Sequence, residues 1–256
     1  MKQITIIFLA LIATLVGAQN IPHGVCPIGL SDCNTDGFHS AVKNYTETIY
    51  NVVLERGLTQ KGTQTSCVNC EYDENGNIQS KRTFDADGQK LTGTLYQYRN
   101  NMKYVATTRD ANGKRTIQIL YEQNDSNNLC TLMRMTDAIA ITISTMRIRH
   151  EHLYVRTTET YHDGEVINTN YFYNKNGTLR KIVSDADANP TTTFSYGIFS
   201  FLTKKILPTK KTIATLRQTS VYTYDYQTDE HGEWIHRITY LNGKPIEIAE
   251  RVIEYW

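Results

Sequence analysis

The sequence predicts an all-β protein: an antiparallel meander of consecutive hairpins, built as a single curved sheet or as two packed sheets. Three observations carry this expectation. Turn signals recur along the chain, at Asp73-Glu74-Asn75-Gly76, Asp85-Ala86-Asp87-Gly88, Asp110-Ala111-Asn112-Gly113, His162-Asp163-Gly164, Asn174-Lys175-Asn176-Gly177, Asp229-Glu230-His231-Gly232 and Leu241-Asn242-Gly243. Their spacing is even: Gly76 to Gly88 is 12, Gly164 to Gly177 is 13 and Gly232 to Gly243 is 11. The segments between them alternate and are rich in Thr, Tyr, Val and Ile, as strands require.

Asn-Gly and Asp-Gly are read as positive-φ corners, because Gly has no Cβ and Asn or Asp tolerates the left-handed region. Asn100-Asn101, 12 residues after Gly88, supplies a further turn before Gly113. About eight residues remain per strand, roughly 27 Å. Within 91–98, two Thr and two Tyr share one face; Ile117 and Ile119 lie opposite Thr116 and Gln118; Tyr222, Tyr224 and Tyr226 share a face.

Taken in order, residues 1–18 read as a secretory signal. Lys2 precedes an apolar run from Ile4 to Val16, and Val16-x-Ala18 forms a small-residue cleavage site. The run is too short to span a bilayer, and no later stretch reaches about 18 apolar residues. Export to the periplasm or the exterior follows, and His23-Gly24-Val25 before Cys26 is wrong for lipid attachment. Residues 19–60 form an N-terminal segment with cysteines. Within it, Phe38, Val42, Tyr45, Ile49 and Val52 fit a helical face, but the β-branched Thr46, Thr48, Ile49, Val52 and Val53 favour strand. Residues 61–125 form a first hairpin meander and 126–256 a second. Stretch 122–137 is read as a loop around Asn124-Asp125-Ser126-Asn127-Asn128, and 188–212 as a long connection carrying an apolar run at 194–202.

Composition excludes several classes. The net charge is +1, so the chain is no polybasic nucleic-acid binder, and 40% hydrophobic residues exclude disorder. Five cysteines (Cys26, Cys33, Cys67, Cys70, Cys130) lie in the exported part. Cys26, Cys33, Cys67 and Cys70 are disulfide candidates that would pin the N-terminal segment; an odd count leaves one over. Cys67-Val68-Asn69-Cys70 lacks the helix start of a redox pair and the second half of a zinc site.

The turns with their flanking residues, Tyr72-Asp73-Glu74-Asn75-Gly76-Asn77, Tyr173-Asn174-Lys175-Asn176-Gly177-Thr178 and the stretch Thr228-Asp229-Glu230-His231-Gly232-Glu233-Trp234 onward, resemble exported bacterial proteins with YD-type (Rhs-like) repeats. The resemblance implies a curved β-meander. It implies no activity and carries no catalytic residues.

The chain carries few motifs of recognisable chemistry. Turned into calcium loops, Gly76, Gly88 and Gly113 put Arg82, Thr94 and Ile119 where a bidentate Glu is required. His150-Glu151-His152 sets two imidazoles on one strand face without a fixed third ligand. No nucleophile elbow or phosphate loop occurs. No cofactor, catalytic residue or metal site is expected. Two binding surfaces remain. Lys204, Lys205, Lys210 and Lys211 lie in a stretch without Asp or Glu and could meet an acidic surface, or guard a sheet edge. Tyr222, Tyr224, Tyr226 and Trp234 could stack sugar rings, or hold the sheet together. The sequence therefore points to an exported, non-enzymatic binding or envelope-structural protein whose partner is a glycan or an envelope protein. A protein that binds a partner through its sheet edge comes second, and a carbohydrate hydrolase third.

Overall fold

The computed structural model describes residues 32–38, 40–99, 102–124, 129–136, 139–148, 154–161, 163–174, 179–186, 190–196 and 207–256. The expected signal segment and Cys26 lie outside them. Among the described residues, every element after one helical turn, Asp32–Thr35, is a strand. The strands are β1 (Val42–Glu55), β2 (Leu58–Tyr72), β3 (Ile78–Phe84), β4 (Lys90–Arg99), β5 (Met102–Asp110), β6 (Arg115–Asn124), β7 (Leu129–Thr136) and β8 (Ile139–Ile148). They continue as β9 (Tyr154–Tyr161), β10 (Val166–Tyr173), β11 (Leu179–Ser184), β12 (Thr191–Tyr196), β13 (Pro208–Ala214), β14 (Thr219–Thr228), β15 (Trp234–Leu241) and β16 (Lys244–Tyr255).

Each strand pairs antiparallel with its sequence neighbours, and β1 pairs with both β2 and β16, so the meander closes into a barrel. The expected hairpin meander is present as one sheet. β6 pairs with β7, so the two meanders expected at 61–125 and 126–256 share this sheet. Within the segment at 38–56, Val42–Glu55 is strand, as its β-branched residues favour. Two loop expectations shrink: strand pairing reaches Asn124 and resumes at Leu129, and 191–196 and 208–214 are strands.

The corners also differ in kind from the expectation. At Asp73, Asp85, Asp110 and Asp229 the Asp N–H donates to the carbonyl four residues on, and the Gly N–H donates back to the Asp carbonyl. Only the glycine has positive φ; the Asn, Asp or His before it does not. This is a type I turn closed by a glycine bulge, and the Asp carboxylate caps it: Asp85 Oδ1 accepts from the N–H of Asp87 (3.0 Å) and Gln89 (2.8 Å). Among the described residues, two consecutive positive-φ residues occur only at Arg56-Gly57 and Asn242-Gly243, the two-residue hairpins.

Most of the buried residues, among them Tyr45, Cys70, Tyr224, Arg237, Ala249 and Arg251, share one face of the sheet. Cys33, Phe38, Val42, Tyr45, Cys70, Tyr72 and Ile78 form a cluster in which residues 32–41 act as a strap. Asp32 accepts from Tyr98 Oη (2.5 Å), Lys103 Nζ (2.6 Å) and the Ile78 N–H (3.1 Å). Ser40 N–H donates to Glu233 Oε1 (3.0 Å), and Trp256 N–H to the Ala41 carbonyl (3.1 Å). The strap thus ties β3–β5 to the β14–β15 turn across the β1–β16 junction.

Candidate functional site

Tyr222, Tyr224, Tyr226 and Trp234 come together as the alternation predicts, but on the core face. Tyr222, Tyr224 and Trp234 are 4%, 9% and 3% exposed. Ring centroids lie 6.0 Å apart for Tyr224–Tyr226 and 6.3 Å for Tyr226–Trp234. Their partners are cations of the chain itself: Arg251 sits 3.8 Å and Arg237 4.6 Å from the Trp234 ring centroid, and Lys211 Nζ 4.8 Å from that of Tyr222. Burial pushes the Tyr226 phenol up to about 12 and Tyr224 higher still. The strip expected as a stacking surface is core.

The same face carries an ion network. Arg251 Nε meets Glu47 Oε2 at 2.8 Å, Arg237 Nη2 meets Glu247 Oε1 at 3.1 Å, and Glu47 Oε1 lies 3.8 Å from Arg237. Burial opposes ionisation of Glu47, yet Arg251 and Arg237 hold its carboxyl below the usual value. Of the lysines singled out, Lys210 is exposed and Lys211, its neighbour on the strand, is buried. Burial lowers the Lys211 ammonium to about 8. Lys204, Lys205 and His150–His152 lie outside the described residues.

Cys33, Cys67 and Cys70 are free thiols, so the expected disulfides are not formed among the described cysteines. Cys67 and Cys70 stand three apart on β2 and therefore point to opposite faces. Burial raises Cys33 to about 11 and Cys70 to about 12, which makes both inert. Among the described residues no three His, Cys, Asp or Glu side chains gather to hold a metal ion. Asp73 shows why the turns offer none: its carboxylate is spent on the Asn75 and Asn77 N–H groups and on the Asn77 and Gln79 amides.

On the face opposite the core, β1–β3 form an open groove of about 560 Å³, lined by Asn44, Thr46, Gln64, Cys67, Asn69, Glu71, Arg82, Phe84 and Gly88. Register builds it in three rungs: Asn44 pairs Glu71, Thr46 pairs Asn69 which pairs Arg82, and Cys67 pairs Phe84. The polar side chains brace one another. Asn69 Nδ2 donates to Thr46 Oγ1 (3.1 Å), Asn44 Nδ2 to Glu254 (2.5 Å), and Gln64 Nε2 to the Asp85 carbonyl (3.1 Å). Arg82 forks onto Glu71 at 3.1 and 3.3 Å. Each amide spends an N–H within the protein, which leaves its carbonyl oxygen as an acceptor, and the last rung of the groove adds the half-buried Phe84 ring. None of these residues was singled out as a binding group from the sequence. The signal existed in the polar alternation Cys67-Asn69-Glu71, but only the cross-strand register joins it to Thr46, Arg82 and Phe84.

No protein-family model matches this chain, and the comparison with curated proteins finds no match. Among solved structures, the chain is similar to a porin-like protein from Bacteroides uniformis, at TM-score 0.54 and 15% identity over 83% of this chain and 98% of that one. It is also similar to a porin-like protein from Bacteroides vulgatus (TM-score 0.38, 11% identity, 85% and 99% covered). A chain of the Photorhabdus luminescens Tc holotoxin pore matches at TM-score 0.32 and 14% identity, over 78% of this chain and 14% of that one. Of these three, the first superposes well enough to establish a shared fold.

Proposed function

We propose that this protein is an exported, non-enzymatic binding protein of the bacterial envelope that holds a neutral glycan in the β1–β3 groove. The observation that carries this reading is the composition of the groove: acceptor oxygens from three braced amides, Thr46 and Glu71, one guanidinium, and an aromatic platform at Phe84. A polyhydroxylated ligand presents O–H donors at its edge and C–H faces to a ring, and that is what this set accepts. Bracing fixes the side chains before a ligand arrives, which lowers the entropy lost on binding. The signal-like residues 1–18 support export.

The same strands argue for an aqueous setting. Lys43–Glu254, Lys61–Glu250 and Arg82–Glu71 lie on the groove face and the Glu47–Arg251–Arg237 network on the other. On these strands the charged pairs interrupt the apolar band a lipid-facing strand needs.

The test is calorimetry and array binding with neutral oligosaccharides. The reading requires binding by the wild type that weakens about tenfold or more in Phe84→Ala and in Asn69→Ala, with unchanged unfolding midpoints. Absence of binding to every neutral oligosaccharide, or binding that survives both substitutions, would overturn it.

A further inference from the structure

The hairpin of β1 and β2 outruns its neighbours. Pairing of β1 with β16 stops at Tyr50–Ile248, and pairing of β2 with β3 stops at Cys67–Phe84. Beyond those points residues 51–65 continue as a two-stranded arm, paired only with each other through Val52–Lys61, Val53–Gln60, Leu54–Thr59 and Glu55–Leu58. Its tip turns at Arg56-Gly57, both at positive φ. Val53, Leu54 and Leu58 are 42%, 63% and 66% exposed.

A two-stranded ribbon is marginal in water, and a barrel otherwise removes free edges. The arm is nonetheless braced. Lys61 Nζ reaches Glu250 of β16 at 2.8 Å and sits 4.5 Å from the Tyr50 ring centroid. Gly62 has no room for a Cβ, which would lie 2.1 Å from Asn51 Oδ1 and 2.8 Å from Val53 Cγ2. The arm therefore holds an unpaired edge in a set direction.

We infer that the β1 edge of this arm, Asn51 to Glu55, pairs antiparallel with the same edge of a second copy of the chain about a two-fold axis at Val53. Three features select this occupant. First, in a two-residue hairpin the residues flanking the turn, Glu55 and Leu58, form the hydrogen-bonded pair, so Val52 and Leu54 aim their N–H and C=O groups away from β2. A two-fold axis at Val53 sets Val52 against Leu54 of the second copy, bringing those four outward residues into two bonded pairs. Second, the side chains are self-complementary: Val53 meets Val53, and Asn51 meets Glu55, with no like charges opposed. Third, the edge carries none of the lysine or proline that guards natural edges, whereas the β2 edge carries Lys61.

The experiment is sedimentation equilibrium of the purified protein up to about 100 μM. A concentration-dependent dimer is expected. Val53→Lys, which sets two ammonium groups against each other at the axis, should weaken it at least about tenfold with the far-UV spectrum and melting midpoint unchanged. Leu54→Pro, which removes an outward N–H without touching a hairpin bond, should do the same. A wild type that stays monomeric, or a dimer that both variants leave intact, overturns the inference. Neither outcome bears on glycan binding, which is measured on the groove.

Discussion

Thr46 and Glu47 are neighbours on β1 and face opposite ways. On the Glu47 side, charge is enclosed: two guanidiniums, two carboxylates and the rings of Phe38, Tyr45 and Trp234 pack against one another, and Arg237 is 2% exposed. On the Thr46 side the polar groups are as numerous but open, with the Arg82 and Glu71 side chains 45% and 41% exposed. The difference teaches that functional-looking residues do not mark a site by type. The aromatic and cationic residues of the core face are committed to each other, while the modest Asn, Gln and Thr of the other face have capacity to spare.

The largest effect that sharpens this contrast is loss of Glu47. Glu47→Ala leaves Arg251 and Arg237 buried and undercompensated, and should cost about 3–5 kcal/mol in urea unfolding. Breaking the open pair with Arg82→Ala should cost no more than about 1 kcal/mol. Equal costs would erase the distinction between the faces.

Lys211 and Lys210 pose the same question through pH. Lys211 is buried with a pKa lowered to about 8 from 10.5. Below pH 8 both folded and unfolded chains carry the charge, and the folded state bears the burial penalty in full. As pH rises from 8 to 10.5 the folded state has shed the proton while the unfolded chain still holds it, so this group adds stability across that window, up to about 3 kcal/mol. Cys33 and Cys70 act oppositely above pH 9, since burial raises both and the unfolded chain loses those protons first. The comparison is therefore wild type against Lys211→Met: the variant should be the more stable below pH 8, with the gap closing by pH 10.5. Lys210→Met is the control on the exposed side. A constant gap between wild type and Lys211→Met would show that Lys211 is not buried as a cation.

Much of the fold was legible because its signals are local. Alternation placed Tyr222, Tyr224 and Tyr226 on one face, and the β-branched residues of 42–55 marked a strand despite a helical spacing of apolar residues. What was not legible depends on partners far away in sequence. Whether the tyrosine face is covered is decided by Arg237, Arg251 and the strap at 32–41. Closure needs β1 to find β16, about two hundred residues later. The groove needs three strands in one register. Arg56-Gly57 is not legible as a turn because arginine is no usual left-handed residue, though the tip of the arm depends on it.

The smallest effect concerns the corner at the end of the groove. Sequence spacing suggests that Asp87 and Gly88 both take positive φ, but only Gly88 does, at +77°. A Cβ there would meet nothing within 4 Å, so Gly88→Ala costs backbone strain alone, about 1–2 kcal/mol. Asp87→Ala should stay within about 0.5 kcal/mol, because its exposed side chain caps nothing in the turn and Asp85 supplies the bonds to Asp87 and Gln89. Paired urea titrations decide it. Comparable losses in the two variants would mean that both residues are left-handed, as in a two-residue hairpin, and that the groove ends on a different kind of turn. A loss confined to Gly88→Ala assigns the corner to the glycine bulge and leaves the groove face defined by backbone geometry, where the core face is defined by packing.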